Sequence, residues 1–142
     1  MTRVLLDTDV VLDYFLAREP FVQEAEALFQ ARVTGLFVGY VSAITPVNVY
    51  YVARKQMGKE MARRIVEQLL IHFAVCPVNT SVLQMALSSS FADFEDAVQH
   101  ESASTLQLDA IITRNLEDYR QATLPVFSPS DFLKQLTNED QE

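Results

Sequence analysis

The 142-residue sequence is poor in cysteine, glycine and histidine, and each shortage removes a class of function. With Cys76 as the only cysteine no intrachain disulfide can form, and a reducing, cytoplasmic setting is expected. Cys76 lies in the apolar stretch His72-Phe73-Ala74-Val75-Cys76-Pro77, which reads as a buried strand carrying a small hydrophobe rather than a nucleophile. Gly35, Gly39 and Gly58 are isolated, so no glycine-rich loop is present to cradle a nucleotide phosphate. His72 and His100 have no Cys or His partner at zinc-ligand spacing. A serine nucleophile elbow is also missing, and Ser88-Ser89-Ser90 reads as a loop and cap. Basic residues are scarce: 11 Lys and Arg face 19 Asp and Glu, for a net charge of -8. That balance argues against binding nucleic acid by bulk electrostatics. A polyanionic partner would have to be met through metal ions and a local basic patch, for which Arg54, Lys55, Lys59, Arg63 and Arg64 are the candidates, while a basic protein partner would suit the acidic surface directly.

Neither a membrane span nor an export signal is expected. Asp7, Asp9 and Asp13 interrupt any signal-peptide core, so secretion is not expected. The stretch from Val33 to Ala53 has no charge, but Gly35, Gly39, Ser42, Thr45, Pro46 and Asn48 argue for a buried strand running into a buried helix, not a membrane span.

What is present suits one globular domain over residues 1–136, followed by a polar, frayed tail over 137–142: hydrophobic residues make up 49% and charged residues 21%. The periodicity predicts strands at Arg3 to Leu6, Leu36 to Tyr40, Phe73 to Pro77, Leu108 to Thr113 and Pro125 to Phe127. Between them it predicts helices around Val10 to Phe15 and over 21–33, from a Ser42 or Thr45 cap to about Lys55, and from Lys59 to His72. Others follow from an Asn79 or Thr80 cap to Ser88, from Phe94 to about Gln107, and from Asp131 under a Ser130 cap. Strands separated by helices imply an α/β fold, a three-layer α/β/α sandwich with a central, mostly parallel sheet of about five short strands.

In such a sheet ligands bind beyond the carboxyl ends of the strands, near the switch in strand order. Asp7 follows the first strand directly. Asn115 and Asp118 follow the Leu108 to Thr113 strand, and Asp93 and Asp96 open the helix that feeds it. Acids gathered in this way repel by about 4 kcal/mol per close pair at an effective dielectric near 20, which favours a hard divalent cation such as Mg²⁺ or Mn²⁺ among them. Simpler explanations exist for some of them. Asp93 and Asp96 also suit a helix cap and its dipole, and Asp118 suits a turn. A strand-end acid at Asp7, next to an apolar run, has no such explanation.

Three segments, Val4-Leu5-Leu6-Asp7-Thr8-Asp9-Val10, Asp93-Phe94-Glu95-Asp96-Ala97-Val98-Gln99 and Ile111-Ile112-Thr113-Arg114-Asn115-Leu116-Glu117-Asp118-Tyr119, resemble the motifs of PIN domains. The resemblance spans nearly the whole chain and is closest to single-domain bacterial VapC-type toxins of toxin–antitoxin pairs. It implies a Mg²⁺- or Mn²⁺-dependent endoribonuclease with Asp7, Asp96 and Asp118 as metal-binding acids and Asp93 beside them. Thr8, Thr113 and Asn115 would be polar support. It also implies a homodimer and an antitoxin partner. One position departs from the pattern: the family usually places a glutamate on the helix after the second strand, and Asn48 stands there. An asparagine can hydrogen-bond a metal-bound water but carries no charge, which points to a one-metal site or weak turnover. A catalytically silent module that binds RNA or a protein therefore stays open as the alternative, as do a phosphatase or DNA nuclease on the same carboxylates.

Overall fold

Along the first strand the side chains alternate between two cores, and this alternation sets the layers of the molecule. The computed structural model describes residues 1–140 of the chain. In order it runs β1 (Arg3–Leu6), α1 (Thr8–Phe15), α2 (Val22–Val33), β2 (Val38–Ser42), α3 (Ile44–Met57), α4 (Lys59–His72) and β3 (Ala74–Cys76). It continues with α5 (Thr80–Ser88), α6 (Phe94–Thr105), β4 (Ala110–Ile112), a 3₁₀ turn (Leu116–Tyr119), β5 (Val126–Phe127) and α7 (Pro129–Asp140). Val4 and Leu6 of β1, with Ala110 and Ile112 of β4, pack against α1, α2, α3, α4 and α7. Leu5 and Ile111 face the other way, toward Ala103 of α6 and Tyr119 of the 3₁₀ turn, while α5 and α6 close over one another through Val82, Ala86, Ala97 and Val98. The result is an α/β/α sandwich. Burying side chains such as Leu5, Leu6 and Ile112 completely contributes about 1.5–3 kcal/mol each.

The sheet is parallel throughout, in the order β3-β2-β1-β4-β5. The chain builds outward from β1 to β3, then returns to the other side of β1 with β4. The switch in strand order therefore lies between β1 and β4, where Leu6 pairs with Ile112.

Several elements differ from the sequence expectation. The second strand is Val38–Ser42, two residues later than Leu36 to Tyr40, because Arg3, Val4 and Leu5 of β1 pair with Val38, Gly39 and Tyr40. Neither Ser42 nor Thr45 caps α3. Its N-cap is Ala43, with no side-chain bond, and the Thr45 hydroxyl turns inward to that of Thr8 at 2.8 Å. The cap of α7 is made by Ser128, whose Oγ accepts from the Asp131 amide at 3.1 Å, and not by Ser130. That helix runs on through Asp140, past the expected boundary at residue 136, and residues 141–142 lie outside the described part of the chain. Asn79 caps α5 as expected. Cys76 is fully buried, and burial pushes its thiol up to about 12, so it stays protonated and inert. Among the described residues no helix is long and apolar enough to cross a membrane.

Gly39 marks the tightest approach within the sheet. A Cβ there would run into the ring of Phe73, itself buried and packed against Phe29 at 5.1 Å. Gly39→Ala is expected to destabilise the protein by about 1–3 kcal/mol through overpacking, read as a lower urea midpoint; an unchanged midpoint would show that the Phe73 ring yields freely.

Candidate active site

Asp7 is the last residue before α1 turns away from the sheet, and its side chain is only 3% exposed. Two groups hold it. Its Oδ1 accepts from the Asp9 amide at 2.9 Å, which makes it the N-cap of α1, and its Oδ2 accepts from the Thr113 hydroxyl at 2.9 Å. The backbone repeats the link, since the Asp7 amide donates to Ile112 O at 2.9 Å. Thr113 in turn accepts from the Asn115 amide at 3.1 Å, and Asn115 Nδ2 donates to Asp9 Oδ2 at 3.3 Å. Thr8 plays a different part. Its amide and hydroxyl both donate to Gln99 Oε1, and its hydroxyl also meets Thr45, so it ties α1 to α6 and α3 without touching an acid.

A second buried aspartate shows what is missing at Asp7. Asp13, 2% exposed, pairs with Arg114 Nε at 2.8 Å and faces Arg18 at 3.8 Å, while the Arg114 guanidinium stacks 4.0 Å over the Phe21 ring. Among the described residues Asp7 has no cationic partner. Burial pushes its carboxyl above the ordinary range, opposed by the Asp9 amide, the Thr113 hydroxyl and, more weakly, the nearby Tyr119 hydroxyl.

The other expected acids come to the same edge. Asp96, in the first turn of α6, is half-buried, and burial followed by repulsion from Asp7, Asp93, Asp118 and Glu95 raises its carboxyl from 3.8 to about 7. Asp93 caps α6, its Oδ1 accepting from the Asp96 amide at 2.9 Å, so one of its oxygens is already committed. Asp118 is exposed on the 3₁₀ turn, at the outer rim. The amino ends of α1 and α6 both open here, and their dipoles favour the anionic forms. The Tyr119 hydroxyl is buried without a formed hydrogen bond, and burial together with Asp7 and Asp96 keeps it a neutral phenol.

Reasoning from sequence passed over several residues of this neighbourhood. Gln99 and Thr45 are buried polar side chains on otherwise apolar helix faces, a signal that was readable. Glu95 was hidden between two aspartates. Its carboxyl lies near Asp93, Asp7 and Asp9, and Asn48 Nδ2 donates to its Oε1 at 3.1 Å. His100, by contrast, is structural: its Nε2 accepts from the Thr123 amide at 3.0 Å. A separate concavity of about 570 Å³ between α1, α2 and α4, lined by Tyr14, Phe15, Phe29 and His72, holds none of the clustered acids.

Every donor at the sheet edge is a hard oxygen, as Mg²⁺ or Mn²⁺ requires. Among the described residues, no three acidic, histidine or cysteine side chains are close enough together to hold an ion by themselves. The residues therefore fit a cation that takes one or two carboxylates and keeps most of its water, which is how Mg²⁺ is usually bound.

The PIN domain family model matches residues 3–117, most of the chain, and includes all of these acids except Asp118. The chain belongs to the PIN domain family. No curated protein matches it. Solved PIN structures share the fold: DNA-bound VapBC from Salmonella typhimurium superposes with a TM-score of 0.70 at 17% identity, covering 91% of this chain and 99% of that one. FitAcB from Neisseria gonorrhoeae gives 0.68 at 20%, covering 89% and 98%. VapC20 of Mycobacterium tuberculosis, described as a Sarcin-Ricin loop cleaving toxin, gives 0.63 at 14%, covering 76% and 86%. At these identities the likeness is one of fold. PIN nucleases generally use divalent metal ions, and the oxygen donors of this PIN domain are compatible with that habit.

The raised carboxyl of Asp96 makes metal-free stability depend on pH. Between pH 4 and about 7 the folded state holds a proton that the unfolded state releases, so this contribution is complete below pH 4 and is lost as pH rises through about 7. The urea midpoint of the metal-free protein is expected to fall as pH rises over that window, and Asp96→Asn should flatten the slope. An equally steep slope in the variant would place the titrating group elsewhere.

Proposed function

We propose that this PIN domain is a Mg²⁺- or Mn²⁺-dependent endoribonuclease that cleaves single-stranded or structured RNA, and that it is the toxin of a toxin–antitoxin pair. The observation that carries this reading is the buried carboxylate of Asp7, which has no cationic partner among the described residues, beside the half-buried Asp96. When bound there, a divalent cation supplies Lewis acidity toward a phosphoryl oxygen and acidifies water for in-line attack. Asp7 and Asp96 are the groups that would hold it, with Asp118 at the rim and Asp93 orienting the start of α6. Thr113 fixes the direction of Asp7, and Asn115 fixes Thr113 and Asp9. The family supports nuclease chemistry, and the VapC20 description supports RNA as substrate.

The acidic balance sets a condition on RNA binding. Arg54, Lys55, Lys59, Arg63 and Arg64 are all exposed and cluster around Gly58, where α3 meets α4, a suitable patch for phosphates. A homodimer and an antitoxin partner belong to the same reading; the antitoxin is supported by a similar solved structure described as a toxin–antitoxin complex from Klebsiella pneumoniae. The competing reading, a silent module that binds RNA or a protein, is favoured by Asn48 and by the lack of three closely gathered acids among the described residues.

Cleavage of single-stranded RNA is expected with Mn²⁺ or Mg²⁺ and not with EDTA. Asp7→Asn and Asp96→Asn should each lower the rate by about 100-fold or more, equivalent to ~2.7 kcal/mol in the barrier. Equal cleavage by all three proteins would reject the assignment. Calorimetric titration that finds no Mn²⁺ uptake at millimolar concentration would favour the silent module.

A further inference from the structure

The exposed Glu95 side chain is in an unusual position for an acid that is free to turn into solvent. It lies in the first turn of α6 between Asp93 and Asp96, with Asp7 and Asp9 near enough to repel it, and no cation pairs with it among the described residues. Repulsion alone would swing it outward. Instead it reaches α3, where Asn48 Nδ2 donates to its Oε1 at 3.1 Å. Asn48 stands in the second turn of α3, just beyond the carboxyl end of β2 and on the same sheet edge as Asp7.

We propose that Glu95 is a further acid of the metal site, acting on the water shell of the ion that Asp7 and Asp96 would hold, and that Asn48 is the positioning residue that keeps it on the α3 side. The inference rests on the metal-dependent reading above. A carboxylate offers two oxygens and about four acceptor sites, and the Asn48 amide occupies one of them. Oε2 accepts nothing from the described residues and stays available to a hydrated cation or to a water. The residue type at position 48 follows from this. A second acid there would repel Glu95, whereas a neutral amide supplies an N–H and draws it in. The pair is one acid and one amide, and the chemistry requires only that one of each be present across the α3–α6 gap.

The test is calorimetric titration of Mn²⁺ into the full chain, with metal-free thermal melts alongside. Asn48→Ala is expected to weaken uptake by about tenfold and Glu95→Gln by more, with metal-free melting not lowered in either, and slightly raised in Glu95→Gln because a repelled charge is removed. The exchanged pair, Asn48→Glu with Glu95→Gln, puts the acid on α3 and the amide on α6 and should restore uptake. Wild-type affinity in Glu95→Gln while Asp7→Asn loses uptake would overturn this inference and leave the metal-dependent reading standing. An exchanged pair as weak as Glu95→Gln alone would overturn the positioning role of Asn48. A wild-type protein that takes up no Mn²⁺ would overturn both readings together.

Discussion

A carboxylate buried without a counter-charge is the constraint around which this fold is arranged. Asp7 sits where β1 ends and α1 begins, at the switch between β1 and β4, and among the described residues its charge is met by the Asp9 amide and the Thr113 hydroxyl and by no cation. Each of those partners is fixed by something else. The Asp9 amide is an orphan donor of the first turn of α1, and Thr113 is set opposite Asp7 by the Leu6–Ile112 register. Moving β4 by one residue would turn Thr113 away and leave Asp7 with a single donor.

The contrast with Asp13 shows that the chain is able to neutralise a buried acid when the acid is structural. Arg114 and Arg18 converge on Asp13, and Phe21 covers the guanidinium of Arg114. Those cations lie within a few residues of the Asp7 pocket and are committed elsewhere. The acids Asp96, Asp93, Glu95 and Asp118 add further negative charge instead of relieving it. Stability is given up locally for a concentration of negative charge, which the proposed cation would relieve.

Much of the architecture was readable because it follows from local rules. The α4 span Lys59–His72, the β1 span Arg3–Leu6 and the Asn79 cap of α5 emerge from periodicity and capping chemistry. Where several polar residues compete for one role, local rules do not choose. Thr45 was a plausible cap for α3, but Thr8 and Gln99 offered it buried partners, and a hydroxyl that is bonded inward cannot also serve the helix end. The start of β2 was ambiguous for a similar reason: Leu36 to Ser42 is apolar enough throughout that only pairing with β1 decides which five residues form the strand.

The sequence by itself determined the layered α/β order, the inert buried Cys76 and the gathering of Asp7, Asp93, Asp96 and Asp118 at one sheet edge, because strand ends and helix starts are local events with local signals. Only the tertiary structure decided which acids are buried and which are paired. Asp7 and Asp13 are alike in sequence, but one meets an arginine 101 positions away and the other does not. The bond from Asn48 to Glu95, spanning 47 positions between α3 and α6, belongs to the same class. Charge compensation depends on distances between residues remote in the chain, and those distances exist only once the sheet has brought its carboxyl ends together.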